Sequence, residues 1–195
     1  MLTGAFIQHA LAHRLPSQCG VCRAWPSRAL CEDCVQRFAQ PRHRCRTCAL
    51  PLQVEQPQCG ACIAHPPPLD ACVAALDYAY PWSALITQFK FHQSPGWAHT
   101  LALLLHSAPW VEPALEGARW LLPLPLSAER LRAVQHAFAV EPRLAAELQG
   151  QRVVLVDDVM TSGATLHAAA QVLRAAGAAH ISAVVLARTE VELAD

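Results

Sequence analysis

The stretch VVLVDDVMTSGATL, Val153 to Leu166, sets two adjacent carboxylates, Asp157 and Asp158, behind an apolar run and follows them with hydroxyls and a glycine. Neighbouring carboxylates repel, and a core strand gains nothing from ending on them. The pattern suits a ligand that needs hydroxyl recognition and phosphate binding together. QRVVLVDD is apolar until the acid pair, as a strand covered on both faces is. From Ser162 to Ala176 the apolar positions Leu166, Ala169, Leu173 and Ala176 step by three, four and three. That spacing predicts a helix, with Gly177 as its C′ residue. HISAVVLAR reads as a further strand. Strand, helix and strand of this length predict a βαβ unit with parallel strands and a right-handed crossover.

In open α/β sheets ligands bind at the carboxyl ends of parallel strands. Thr161, Ser162, Gly163, Ala164 and Thr165 lead from the acid pair into a helix start, where unpaired N–H groups and the helix dipole favour an anion. Gly163 allows close backbone approach, and Thr161, Ser162 and Thr165 bring hydroxyl donors. Asp157 and Asp158 can accept hydrogen bonds from paired sugar hydroxyls, directly or through Mg²⁺, an oxygen-seeking ion. A 5-phosphoribosyl group carries a phosphate at one end and vicinal hydroxyls at the other. A capped βα turn with a chance acidic pair is the plainer alternative.

Upstream, ACVAALDYAY alternates Cys72, Ala74, Leu76, Tyr78 and Tyr80 and predicts a strand. PWSALITQFKF sets Trp82, Leu85, Ile86 and Phe89 at helical spacing behind Pro81. GWAHTLALLLHSAPW gives a second helix, with Trp97, Leu101, Leu104 and Leu105 inward. ARWLLPLPL reads as a short buried strand ended by prolines, and residues 140–151 as a loop. AHPPPLDA, residues 64–71, is a proline-stiffened linker, and the pattern changes after it.

Ahead of that linker stand four C-x-x-C pairs: Cys19 and Cys22, Cys31 and Cys34, Cys45 and Cys48, Cys59 and Cys62. Two such knuckles complete a tetrahedral thiolate site, so eight thiolates serve two Zn²⁺ ions. Which knuckles share an ion is open. A disulfide framework, a redox pair and an iron–sulfur cluster are competing readings. Apolar content between the knuckles is thin, so metal would supply much of the stability there. Gly20 and Gly60 fit knuckle turns, and Cys72 reads as a small buried hydrophobe. Arg37, Arg42, Arg44, Arg46 and His43 make the densest basic cluster, either a solvated face or a nucleic-acid or phosphate contact.

The 195 residues carry a formal net charge of zero, so no global field draws the chain to nucleic acid or to an anionic membrane. Lys90 is the single lysine. No targeting segment and no membrane span are expected, which predicts a soluble, cytoplasmic protein.

VVLVDDVMTSGAT resembles the PRPP-binding signature of type I phosphoribosyltransferases. Together with the four knuckles, PPPLDACVAALDYAYPWSALITQFKF, LLPLPLS and AERLRAVQHAFAV, it makes the chain similar over nearly its whole length to the ComF family of competence-associated proteins. The resemblance implies an α/β, parallel-sheet type I phosphoribosyltransferase-like domain over residues 70–195 and an N-terminal Cys-rich zinc module, double zinc ribbon-like, over residues 1–66. Asp157 and Asp158, the candidate catalytic pair, would orient the ribose, and Thr161 to Thr165 would hold the 5-phosphate. Pro123 to Ser127 would form the pyrophosphate loop. Structural Zn²⁺, Mg²⁺ arriving with PRPP, and single-stranded DNA or competence machinery are the implied cofactors and partners.

The chain departs from that family after PLPLS. There the family carries an Arg-Gly-Phe-Asn-Gln stretch opening a helix, then another strand; here the sequence runs straight on to AERLRAVQHAFAV. A sheet short of a strand has an edge that a second copy could cover, so a homodimer is expected. Two functions follow from different classes: a phosphoribosyltransferase, or a non-catalytic DNA-uptake accessory that binds phosphoribosyl groups without turnover.

Overall fold

The computed structural model describes residues 17–92, 94–124 and 140–190. The sequence AERLRAVQHAFAV, apart from its last residue Val140, and most of the expected pyrophosphate loop lie outside them.

The cysteine region repeats one scheme twice. An antiparallel bridge, Ser17 with Ser27 or Arg44 with Pro51, carries the first C-x-x-C of each half. The second C-x-x-C opens a short helix, α1 (Glu32–Phe38) or α2 (Gly60–Ala64). Cys31 and Cys59 are the two N-cap residues, with nearly the same extended backbone, φ −81° and ψ 156° against φ −75° and ψ 158°. The positive-φ positions of the knuckles are Arg23 and Ala49, each just past the second cysteine of its pair. There Arg23 N donates to Cys19 O and Ala49 N to Cys45 O. Glycine is therefore not what bends these knuckles. Gly20 is needed for space instead, since a Cβ would run into the Trp97 indole, while at Gly60 it would meet nothing.

Beyond the linker lie β1 (Ala71–Asp77), α3 (Trp82–Phe91), α4 (Trp97–His106), α5 (Val111–Glu116), β2 (Trp120–Pro123), α6 (Pro142–Leu148), β3 (Arg152–Met160), α7 (Ala164–Ala175) and β4 (His180–Arg188). The four strands form one sheet, β1-β4-β3-β2, with every neighbour parallel. This is the expected α/β sheet, with β3, α7 and β4 as the βαβ unit. β4 is central and buried along nearly its whole length.

The strand period of two splits the side chains between two faces. Val153, Leu155, Ile181, Ala183 and Val185 pack with Leu166, Ala169, Ala170 and Leu173 of α7. Val154 and Val184 pack with Val111 of α5, and Leu186 packs with Trp82, Ile86, Leu101 and Leu104 of α3 and α4. Each half of the cysteine region joins one of these cores. Cys45, Cys48, Cys59 and Cys62 belong to the α7 side with Cys72 and Met160. Leu30, with partly buried Val21, Val35 and Phe38, belongs to the α3–α4 side.

Three expectations change. Among the described residues β2 is an edge strand, not a buried one: Trp120 and Leu122 turn inward while Leu121 stays 55% exposed. An apolar run alone does not tell a central strand from an edge. Residues 140–151 are not a loop but contain α6, with Pro142 in its first turn and Leu148 buried. The proline-rich linker does not swing free. Leu69 is buried, and Asp70 Oδ2 accepts from Ile181 N and Arg174 Nη2, both at 2.6 Å. Those donors outweigh the opposing effect of burial and hold the Asp70 carboxyl below its ordinary range.

Candidate functional site

β3 continues past the acid pair to Met160, so Asp157 and Asp158 sit inside the strand, half-buried, rather than beyond its end. Asp157 Oδ1 accepts the backbone N–H of Asp158 at 2.8 Å. Burial, reinforced by the Asp158 charge, pushes the Asp157 carboxyl up to about 6, against the lowering effects of that N–H and of Lys90. Asp158 has a partner of its own: Lys90 Nζ, from the last turn of α3, lies 2.9 Å from both of its carboxylate oxygens. The pairing differentiates the two acids, one held by an ammonium and one pressed towards neutrality. Lys90 was conspicuous in the sequence only as the sole lysine.

After Met160 the chain turns through Thr161, Ser162 and Gly163 into α7. Gly163 is the N-cap at φ +82°, where a Cβ would lie 2.5 Å from Met160 Cε and 3.0 Å from His167 Nε2. Only glycine suits that conformation and that space. Ser162 Oγ accepts from Ala164 N at 3.3 Å, and the first intrahelical bond runs from His167 N to Gly163 O. The N–H groups of Thr165 and Leu166 thus belong to the open first turn of a helix, facing the anion-favouring end of its dipole. Thr161, Ser162 and Ala164 are exposed and Thr165 is half-buried, so the turn is open to a ligand. His167, which the sequence reading passed over, leans onto Gly163 with its Nε2 buried and unpartnered. Burial and then the Arg188 charge hold it below the ordinary histidine range, hence neutral.

The eight knuckle cysteines gather into two sets, Cys19, Cys22, Cys31 and Cys34, and Cys45, Cys48, Cys59 and Cys62. Neighbouring knuckles pair, which the spacing left open. Within each set the sulfurs all lie within 4.8 Å of one another, with separations of 3.9 Å (Cys19–Cys34), 3.6 Å (Cys22–Cys31) and 3.7 Å (Cys48–Cys59). Four thiolates around one tetrahedral zinc, each about 2.3 Å from it, stand about 3.8 Å apart. The sets therefore fit one ion each and could hold Zn²⁺. The same separations are far too long for disulfides, and all nine cysteines are free. Crowding shows in the acidities. Burial, with the sulfurs of Cys31, Cys22 and Cys19, pushes Cys34 up to about 12, while backbone N–H groups overcome burial to draw Cys19 down to about 6. Cys48 rises to about 11 by burial, and Cys45 falls to about 7 by backbone donors acting against burial. Each set resists losing its last protons until a cation takes their place. Cys72 stands apart, 4% exposed with its sulfur 3.6 Å from that of Met160, as a buried small hydrophobe does.

The basic cluster is largely committed to the protein itself. Arg42 and Arg44 both reach Asp77 at 2.6 Å, Arg42 also reaches Glu190 at 3.3 Å, and Arg44 donates to Ala49 O. These pairs clamp the third knuckle, Cys45 and Cys48, onto the end of β1. Arg37 lies over the Phe38 ring, 5.2 Å from its centroid.

Comparison with known proteins agrees with this arrangement. Residues 123–194 match the phosphoribosyl transferase domain. The chain is 29% identical to the DNA utilization protein YhgH of Escherichia coli, over 90% of this chain and 98% of that one. It is 27% identical to Competence protein F of Haemophilus influenzae, over 82% and 90%. A shorter stretch of 66 residues, a third of this chain, is 41% identical to adenine phosphoribosyltransferase of Mycobacterium avium. The YhgH alignment runs over 223 positions, more than the 195 residues present here, so that relative carries residues with no counterpart in this chain. No helix among the described residues is long and apolar enough to cross a membrane. With two four-cysteine clusters ahead of a parallel α/β sheet, a phosphoribosyl transferase domain match and relatives of this kind over most of its length, the chain is ComF-like: a zinc-type module joined to a phosphoribosyltransferase-like domain.

Proposed function

We propose that this protein binds PRPP or a related 5-phosphoribosyl ligand at the turn between β3 and α7. The observation that carries the proposal is Gly163 at φ +82°, five residues past an acid pair and opening a helix of 12 residues. Thr161 to Thr165 and the first N–H groups of α7 hold the 5-phosphate. Asp157 and Asp158 accept the ribose hydroxyls. The reaction class that follows is phosphoribosyl transfer with pyrophosphate release, in which Mg²⁺ bound with the ligand's phosphates offsets charge on the leaving group. Lys90 already touches both Asp158 oxygens, so the protein's own share is hydroxyl recognition and ligand orientation. Zinc in the two cysteine clusters is structural. The same proposal keeps a module over residues 1–66, a domain over 70–195, a cytoplasmic location suited to nine free thiols, and a homodimer joined along the β2 edge.

Binding without turnover is the second reading, in a DNA-utilization role like that named for the relatives. It is favoured by the alignment, in which this chain lacks residues that YhgH has. A reaction at an activated sugar needs a pyrophosphate loop, a cover and a nucleophile pocket in register, and misplacement by ~1 Å can cost ~100-fold. Ribose 5-phosphate and PRPP should therefore bind in calorimetry, while pyrophosphate release from PRPP with a panel of bases stays slow. Absence of binding would remove the proposal; brisk release would favour the enzyme over the accessory.

Asp157→Asn separates binding from folding. The folded value of about 6 lies above the ordinary aspartate value of 3.8, so the folded state holds a proton that the unfolded chain has lost between those pH values. Stability tied to this group therefore falls as pH rises from about 4 to 6. At pH 7 the asparagine should stabilise the protein by ~1–2 kcal/mol, with the gain vanishing below pH 4. Ribose 5-phosphate affinity should fall about tenfold at the same time. A destabilised variant with unchanged affinity would contradict both assignments.

A further inference from the structure

Arg188 ends β4, 3% exposed. Its Nε donates to Cys48 O at 2.9 Å, the carbonyl of a cysteine in the second cluster. Its Nη1 faces Met160 O at 3.1 Å, Thr161 O at 2.5 Å and Thr189 O at 2.7 Å, with Thr189 Oγ1 at 3.2 Å. One guanidinium thus joins a metal knuckle to the last residue of β3 and the first residue of the phosphate turn. No carboxylate among the described residues pairs with it. A buried cation is costly unless an opposite charge stands close. A divalent ion held by four thiolates carries two net negative charges, and Cys48, whose carbonyl Arg188 takes, is one of the four thiols of the second cluster.

We propose that Arg188 is a positioning residue that ties the phosphate turn to the second four-cysteine site, so that ion occupancy of that site and ligand affinity at the turn rise and fall together. The inference rests on the binding reading above. The loaded cluster supplies the countercharge that keeps Arg188 in place, and Arg188 fixes the carbonyls of Met160 and Thr161 from behind. That orients the turn so that its N–H groups and hydroxyls face the ligand. Arg188 does not touch the ligand. Among the described residues no arginine joins the first cluster to the phosphate turn as Arg188 joins the second; its half packs into the α3–α4 core, and it serves as the internal control. Coupling between two sites is reciprocal, so each must protect the other.

The test uses the full-length, zinc-loaded protein. Ribose 5-phosphate affinity is read by calorimetry, and zinc release is followed with a chromogenic chelator. Arg188→Met should weaken ribose 5-phosphate at least about tenfold and speed release of one of the two zinc equivalents. Arg188→Lys, which keeps the charge but cannot span both sets of carbonyls, should recover part of each effect. If Arg188→Met does not fold, Arg188→Lys alone reads the same two changes at smaller size. Cys22→Ser, on the exposed rim of the first cluster, should cost one zinc and leave affinity within about twofold. In the wild type, saturating ribose 5-phosphate should slow release of one zinc equivalent. Wild-type affinity in both Arg188 variants, or release rates that ignore the ligand, would overturn the coupling. If wild-type protein binds no ribose 5-phosphate, the binding reading is what fails; the tie of Arg188 to the cluster is then judged by zinc release in Arg188→Met, and an unchanged rate overturns it.

Discussion

Stripping the metal from the purified, reduced protein should cost it at least ~10 °C in thermal midpoint and dissolve the fixed structure of residues 17–66. The native protein should carry about two zinc ions per chain. The two sets fold by a shared device in which one pair of sulfurs sits on a bridged turn and the other at a helix start. Neither α1 nor α2 is long enough to stand alone, at seven and five residues. Without a cation the four thiols must keep their protons or repel, and burial already drives Cys34 and Cys48 strongly upward. The loss is not confined to the module. Cys45, Cys48, Cys59 and Cys62 share a core with Val153, Leu155, Leu166 and Ile181, so an opened second cluster exposes the α7 face of the sheet. A cost of ~3–5 kcal/mol corresponds to roughly 10 °C or more in a chain of this size. Acid should act as chelation does, because the ligands are thiolates. Elemental analysis together with thermal unfolding measures this, and a metal-free preparation with an unchanged midpoint would refute it.

The sheet was legible because its strands are written locally. Val153 to Val156 and Ala183 to Leu186 are apolar on both faces, which only a covered parallel sheet tolerates. α7 was legible from Leu166, Ala169 and Leu173, and its end from Gly177, which takes φ +93°. α1 and α2 were not, because ligand spacing sets their register in place of apolar periodicity. α6 escaped although Pro142 and Leu148 mark it, since a run of small and charged residues between strands reads as loop. The edge position of β2 depends on which strands lie beyond it, which no local pattern states.

The candidate site divides the same way. The acid pair, the glycine and the hydroxyls lie within nine residues, and their spacing alone locates the turn. What controls them comes from elsewhere in the chain. Lys90 is 68 positions from Asp158 and Arg188 is 140 from Cys48. In the sequence Arg188 is only the last letter of HISAVVLAR and Lys90 only the single lysine, so neither points to the site. Folding buries each beside a group it must satisfy. The arginine cluster went the opposite way: dense in sequence and free in prospect, it has two of its members, Arg42 and Arg44, drawn onto Asp77 and Glu190.

Lys90→Met should destabilise the protein by ~3 kcal/mol, and Asp158→Asn in the same chain should restore most of that loss. The pair is poorly solvated, with side-chain exposures of 19% for Lys90 and 12% for Asp158. Removing one partner of such a pair strands the other charge, which costs more than the pair contributes. The stranded carboxylate would sit next to Asp157, itself already pressed towards neutrality, so repulsion adds to desolvation. Asp158→Asn alone strands Lys90 instead. Its stem can carry the ammonium outward past exposed Phe91, whose ring centroid is 5.7 Å from Nζ, so this single change should be the milder one. The cycle therefore predicts a coupling of ~2 kcal/mol between the positions, measured by denaturant unfolding of the two single variants and the double one. Ligand affinity discriminates the roles further. Asp158→Asn should weaken ribose 5-phosphate with or without Lys90, because the hydroxyl acceptor is gone. Lys90→Met should raise the share of protonated acid at the pair and shift the pH at which affinity falls upward, leaving affinity at high pH closer to native. Additive stabilities and an unshifted pH dependence would mean that Lys90 merely rests against the site.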